Sequence, residues 1–182
     1  MTNSLLRVGK SAALALCVAM FALPASAATL NGALTFSGDW VIGDGSSLAD
    51  TTLLLFPGSD FDADGAVGTF ADLGIVEGDT GMLDPLSLDL SGGSISLLDI
   101  AGVNFTLDTI SIATQDATFL LVTGTGTLSA AGFDDTAATF FFSANTIGDL
   151  NVFSSGITAV PVPGAVWLFG SALMALGVRR KA

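Results

Sequence analysis

The chain has 182 residues and a formal net charge of −12, with 17 acidic residues, 5 basic ones and no histidine. That length holds one domain of ordinary size with short appendages. All five cations lie in the tails (Arg7, Lys10, Arg179, Arg180, Lys181), so residues 28–159 carry every carboxylate and no Lys, Arg, His, Cys or Tyr. An acidic segment without a cation repels phosphates, which excludes nucleic acid as a partner and favours cations or neutral polar surfaces.

Residues 1–27 read as a secretory signal peptide. Arg7 and Lys10 form the charged start, Ala12 to Leu23 a short apolar run, and Ala25-Ser26-Ala27 the small residues before a cut between Ala27 and Ala28. The only cysteine, Cys17, lies inside that run. Bulky Leu16 in front of it argues against lipoprotein processing. The mature chain would then be exported, by the Sec machinery and signal peptidase, without disulfides to hold its core.

Residues 28–159 show the period-two alternation of strands. Leu34, Phe36, Gly38, Trp40 and Ile42 share one face, and Val103, Phe105 and Leu107 alternate with Asn104, Thr106 and Asp108 before Ile110 and Ile112 continue. Similar runs fall at 53–56, 86–90, 95–100, 119–127, 139–143 and 150–153. Gly43-Asp44-Gly45, Pro57-Gly58, Ser91-Gly92-Gly93, Ala101-Gly102 and Gly132 to Asp135 supply turns between them. Many short strands with no helical pattern predict an all-β fold, an antiparallel β-sandwich or an open barrel. Gly124-Thr125-Gly126-Thr127 suggests a tight or bulged strand. The small and acidic stretch 65–84 reads as a long loop or irregular edge.

The sharpest chemical motif is Asp60-Phe61-Asp62-Ala63-Asp64-Gly65, the first half of a D-x-D-x-D-G calcium loop, in which alternating carboxylates converge on one hard cation. The twelfth position of such a loop is Ala71 where a bidentate Glu belongs, so two readings stand: a Ca²⁺ site at Asp60, Asp62 and Asp64, or a solvated acidic turn. Asp134-Asp135 reads as a second, weaker candidate cation contact or as an Asp pair that serves a turn. Asp39, Asp89, Asp99 and Asp108 read as solvated strand faces. Trp40 is either a ligand contact or core on the Leu34–Phe36 face. Catalysis lacks its usual bases, nucleophiles and oxyanion clamps, so no enzyme is expected.

The chain closes on VPVPGAVWLFGSALMALGVRRKA, residues 160–182. Residues 164–178 form an uncharged run that as a helix spans about 22 Å, short of the ~30 Å hydrocarbon core. Pro161 and Pro163 block its backward extension, Trp167 suits an interface, and Arg179, Arg180 and Lys181 stay cytoplasmic. Val160-Pro161-Val162-Pro163, Ala165 to Ser171 with Trp167, and Arg179-Arg180-Lys181 resemble the VPxP variant of the PEP-CTERM sorting signals of bacteria. The resemblance implies processing near the Pro-x-Pro by an exosortase, a membrane transpeptidase, and an association with exopolysaccharide and biofilm. It covers residues 160–182 and is silent on the domain before them. The expectation is an exported cell-envelope or extracellular protein, transiently anchored in the inner membrane, with a structural or adhesive role. The alternative is a calcium-dependent module binding carbohydrate or another surface ligand.

Overall fold

The computed structural model describes residues 27–160. The predicted signal peptide, apart from Ala27, and the sorting residues after Val160 lie outside the described residues. Among the described residues no helix is long and apolar enough to cross a membrane.

Eight antiparallel strands close into a barrel. In chain order they are β2 (Gly32–Asp39), β5 (Asp60–Gly68), β6 (Thr80–Leu83), β8 (Ile95–Ile100), β9 (Val103–Gln115), β10 (Phe119–Ala130), β12 (Thr136–Ile147) and β13 (Leu150–Ala159). Around the barrel they run β10-β12-β13-β2-β5-β6-β8-β9 and back to β10. The all-β expectation holds, but the wall has neither the two separate sheets of a sandwich nor the gap of an open barrel. Closure comes from β13 pairing with β2, where Ile157 faces Leu34 and Phe153 faces Gly38. That seam joins opposite ends of the domain.

Register irregularities bend the wall into so small a circle. Asp64 is an extra residue opposite the Thr35/Phe36 step, Leu97 opposite Phe105/Thr106, and Asp108 and Ala113 interrupt the pairing of β9 with β10. Each bulge increases local twist and bends its strand. The bulge at Asp108 also explains why the apolar series jumps from Leu107 to Ile110. The extra residue belongs to β9, facing the Gly124–Thr127 segment in which the sequence suggests it.

The interior of an eight-stranded barrel is just wide enough for the side chains of its own wall. Here it holds a chain of rings: Phe105–Phe140 at 5.8 Å, Phe140–Phe142 at 6.4 Å, Phe142–Phe153 at 5.3 Å, Phe153–Phe36 at 6.2 Å and Phe36–Phe61 at 4.7 Å between centroids. Phe56 adds edge contacts to Phe142 and Phe153. Such pairs contribute about 0.5–1.5 kcal/mol each beyond area burial. Glycines make the room. Phe61 lies over Gly81, its direct partner across β5 and β6, and Phe105 covers Gly126 diagonally across β9 and β10. Phe153 lies over Gly38, where a Cβ would sit 2.9 Å from the ring's Cε1.

Both ends of the barrel are covered. Beyond β2, the short strands β3 (Val41–Ile42), β4 (Leu53–Leu55) and β7 (Leu86–Ser87) form a small sheet. Buried Trp40, Leu48, Leu54 and Leu86 join the barrel core there. Gln115 at the end of β9 ties this cap down, its Nε2 donating to the carbonyls of Leu48 and Thr51 at 2.9 Å each. At the other end the single-turn helix Thr69–Asp72 buries Phe70, with Leu30 and Ile75 in the same core. Nearby, β1 (Ala28–Thr29) pairs in parallel with β11 (Phe133–Asp134).

Two stretches differ from expectation. Residues 65–84, expected as a long loop or irregular edge, contain the end of β5, the helix and β6. Gly65-Ala66-Val67-Gly68 is too small and uniform to show alternation, yet it pairs with Gly32 to Thr35. At the close of that pairing Gly32 has φ +104° and faces Gly68 at φ +66°, and a Cβ on Gly32 would collide with the Val67 carbonyl. Residues 86–90 give only the two-residue β7.

Replacing Gly81 by Ala drives a methyl into the Phe61 ring, and overpacking of this kind costs about 1–3 kcal/mol. Gly65→Ala places its methyl at ordinary contact distance, 3.5 Å from Thr35 Oγ1. Urea denaturation of both variants is expected to show a clear loss for Gly81→Ala and little change for Gly65→Ala. Equal midpoints would contradict the packing.

Candidate functional site

Every carboxylate lies on the outside of the fold; only Asp79 is half-buried and the other sixteen are exposed. Asp39, Asp89, Asp99 and Asp108 are among them, in line with their reading as solvated faces. Outward Thr, Ser and Asp with inward Phe, Leu and Ile reverse the polarity of a lipid-facing barrel, whose outer band is apolar.

The predicted calcium loop is not a loop. Asp60, Asp62 and Asp64 belong to β5, with Phe61 and Ala63 buried between them. A strand rises about 3.3 Å per residue, so alternate residues stand about 7 Å apart, whereas a calcium loop curls its ligands to within about 2.3–2.6 Å of one ion. The glycine that would give the loop its sharp turn follows a bulge. Asp64 is the extra residue there, its Oδ1 accepting from Ser37 Oγ at 2.8 Å. The sequence pattern is shared by a calcium loop and by an outer strand face with apolar residues inside, and only the pairing with β2 separates them.

Asp60 and Asp62 instead line an open cleft of about 260 Å³ together with Asp39, Gly38, Pro57 and Phe61. It lies where β2 and β5 reach the capped end. Among the described residues no group of three His, Cys, Asp or Glu side chains is gathered closely enough to hold a metal ion. Asp134 contributes its carbonyl to Thr136 Oγ1 at 2.9 Å.

Three other carboxylates do specific structural work. Asp44 Oδ1 accepts from Thr51 Oγ1 at 2.7 Å and from the N–H groups of Thr52 and Leu53 at 2.7 and 2.8 Å, while Oδ2 accepts from Thr52 Oγ1 at 2.5 Å. The hydroxyls of Thr52 and Thr51, then the amides, hold its pKa down at about 2 against 3.8. Asp50 accepts from the hydroxyls and amides of Ser47 and Ser46, which hold it well below the usual carboxylate range. Asp116 accepts from the N–H groups of Thr118 and Phe119 and from the Thr118 hydroxyl, closing the β9–β10 turn with its pKa lowered. The sequence signal is local only at Asp116, two residues before Thr118 in a turn, and at Asp50, which follows Ser46 and Ser47 by four and three residues, both patterns of side chains that bond nearby backbone; Asp44 reaches Thr51 and Thr52, seven and eight residues on. They fasten the cap and a hairpin, and they do so on the surface.

Trp40 is core: it is 2% exposed and its Nε1 donates to the Val152 carbonyl at 3.1 Å. It has no face to offer a ligand. The predicted cleavage site sits at the start of the fold, with Ala28 already in β1. Of the sorting residues only Val160 is described, and its N–H donates to the Ala137 carbonyl at 2.7 Å.

No protein-family model matches the chain, and neither a curated protein nor a solved structure is significantly similar to it.

Two outcomes are expected. A carboxylate whose folded pKa is depressed adds stability above its unfolded pKa and loses it as pH falls through the folded value. For Asp44 that window runs from about 3.8 down to about 2. Asp44→Ala is therefore expected to melt lower than wild type at pH 7, the gap closing as pH falls through that window; a constant gap would contradict the role. For the cleft, millimolar calcium is expected to move the melting temperature of wild type and of the Asp60→Asn/Asp62→Asn double variant alike, by screening. A saturable rise lost in the double variant would establish a site there.

Proposed function

We propose that this chain is an exported bacterial surface or extracellular-matrix protein, delivered by its signal peptide and sorted by its PEP-CTERM-like tail, with a structural or adhesive role beside exopolysaccharide. The barrel is a compact spacer or contact module, and its chemistry lies on its outer wall. Sec and signal peptidase would release it at Ala28. An exosortase-like enzyme would act near Pro161 and Pro163, the inner membrane holding the tail until then.

The observation that carries this reading is the placement of the two ends of the described domain. Leu30 N–H donates to Thr136 Oγ1 at 3.0 Å, and Val160 N–H donates to the carbonyl of the next residue, Ala137, at 2.7 Å. The chain therefore enters and leaves the domain at neighbouring residues of β12, at the end opposite the β3-β4-β7 cap. A tail that continues from Val160 into a membrane, or is joined to a polymer, would grip the barrel by that end. The cap, the acidic cleft and the wall would face outward. Covered ends and a phenylalanine-filled interior also suit a module that is held at a surface.

Intact mass of the native protein, from cell fractions and from spent medium, tests this. Trypsin is no use, since no Lys or Arg lies between Lys10 and Arg179. The expected species begins at Ala28 and stops near Pro161–Pro163, bare or with the mass of an added anchor or glycan. A chain running through to Ala182 in every fraction would contradict sorting, and one retaining Met1 would contradict export.

A further inference from the structure

The outer wall is not evenly charged. The neighbouring strands β10, β12 and β13 carry no Asp or Glu, whereas β2, β5, β8 and β9 carry Asp39, Asp60, Asp62, Asp64, Asp99 and Asp108. On a protein of net charge −12 this is a neutral stripe three strands wide. Around its middle the outward positions are mostly hydroxyls (Thr123, Thr125, Thr139, Ser143, Ser154 and Thr158), while the apolar Ile147 and Leu150 are exposed apart from them, at the β12–β13 turn. Phe141 stands in the middle, 43% exposed, while its neighbours Phe140 and Phe142 fill the core.

The register explains how the exposed ring is held. Thr123, Phe141 and Gly156 lie in one row across β10, β12 and β13. The ring leans onto Gly156, where a Cβ would lie 2.5 Å from Cε1 and 2.9 Å from Cζ, and it buries that glycine although the position faces outward. Rows on either side set Thr139 against Thr158 and Ser143 against Ser154. An aromatic ring folded down on a sheet, with Thr123 about 5 Å away in its own row and the hydroxyls of the rows on either side about 7–8 Å away, is a platform for a molecule that has an apolar C–H face and a polar rim. A pyranose ring is such a molecule. Aromatic side chains that are apolar on their face and sit among polar groups are the usual anchors of a binding surface.

We infer that Phe141 and the hydroxyls around it form a binding face for a neutral polysaccharide, one sugar ring stacking on Phe141 and its hydroxyls bonding to the flanking Thr and Ser. Charge selects the class: the stripe offers no cation to an acidic polymer, and the carboxylates on both sides of it repel one. The inference deepens the surface role proposed above and rests on it for biological meaning, but the binding itself does not depend on export.

The test is affinity electrophoresis of the full chain in native gels containing hydroxyethyl cellulose or galactomannan, with alginate as the anionic control. Phe141→Leu still covers Gly156 but has no aromatic face, and Phe141→Trp enlarges that face. Retardation is expected in at least one neutral polymer and not in alginate, about tenfold weaker in Phe141→Leu and kept in Phe141→Trp, with the melting temperatures of all three alike. No retardation of wild type, equal retardation of Phe141→Leu, or retardation in alginate alone would overturn the site. So would dimerisation in light scattering that Phe141→Leu abolishes without any polymer binding, which would assign the stripe to a second copy. A chain that binds glucan yet is never exported would keep the site and remove the surface role.

Discussion

An eight-stranded barrel has little interior beyond what its own side chains occupy, and this one fills it with phenylalanine. The rings of Phe105, Phe140, Phe142, Phe153, Phe36 and Phe61 touch in series across the wall. That many large groups fit only because Gly38, Gly81 and Gly126 leave the space into which a ring is laid. Glycine weakens an isolated strand by its entropy and by its lack of a side chain to pack. A ring across the strand supplies the missing contact, so the loss and its compensation are built into the same pair. These pairs fix the register, since a slip of one residue would turn the inward Phe of that strand outward.

A barrel filled in this way and covered at both ends keeps its chemistry outside. The carboxylates have all gone to the surface, and three of them serve to lock turns, which a domain without a disulfide must do by hydrogen bonds. The wall itself is divided into an acidic side and a neutral, hydroxyl-lined side. One exposed ring on the neutral side sits over a glycine in the same geometry that organises the core. The same device thus packs the interior and presents an aromatic surface.

Much of this was legible in the sequence, and the limits have physical causes. Alternation around Leu34, Phe36 and Trp40, and around Val103 to Leu107, marks strands whose inner faces are as expected, because one side is buried and the other wet. In Thr139-Phe140-Phe141-Phe142-Ser143 three consecutive rings hide the parity, so the outward position of Phe141 emerges only from its partners. Bulges break the period at Asp64, Leu97 and Asp108. Closure was invisible, since β2 and β13 meet from opposite ends of the domain and nothing local announces a partner so distant. The acidic motif was ambiguous for a related reason. Alternating Asp fits a cation loop and an outer strand face equally well, and the choice is made by Ser37 and Gly65 across and beside it.

Closure of the barrel at the β13–β2 seam is the claim on which the filled core, the neighbouring ends of the described domain and the continuous neutral wall all depend. Amide hydrogen exchange of the full chain, resolved by residue, addresses it directly. A closed barrel predicts that Leu34, Phe36 and Ile157 exchange as slowly as Val122 and Phe142 in the middle of the wall, because all of them open only with the whole domain. Fast exchange along both β2 and β13, with protection confined to β9, β10 and β12, would mean two free edges, and the account would then have to give way to an open sheet or a sandwich.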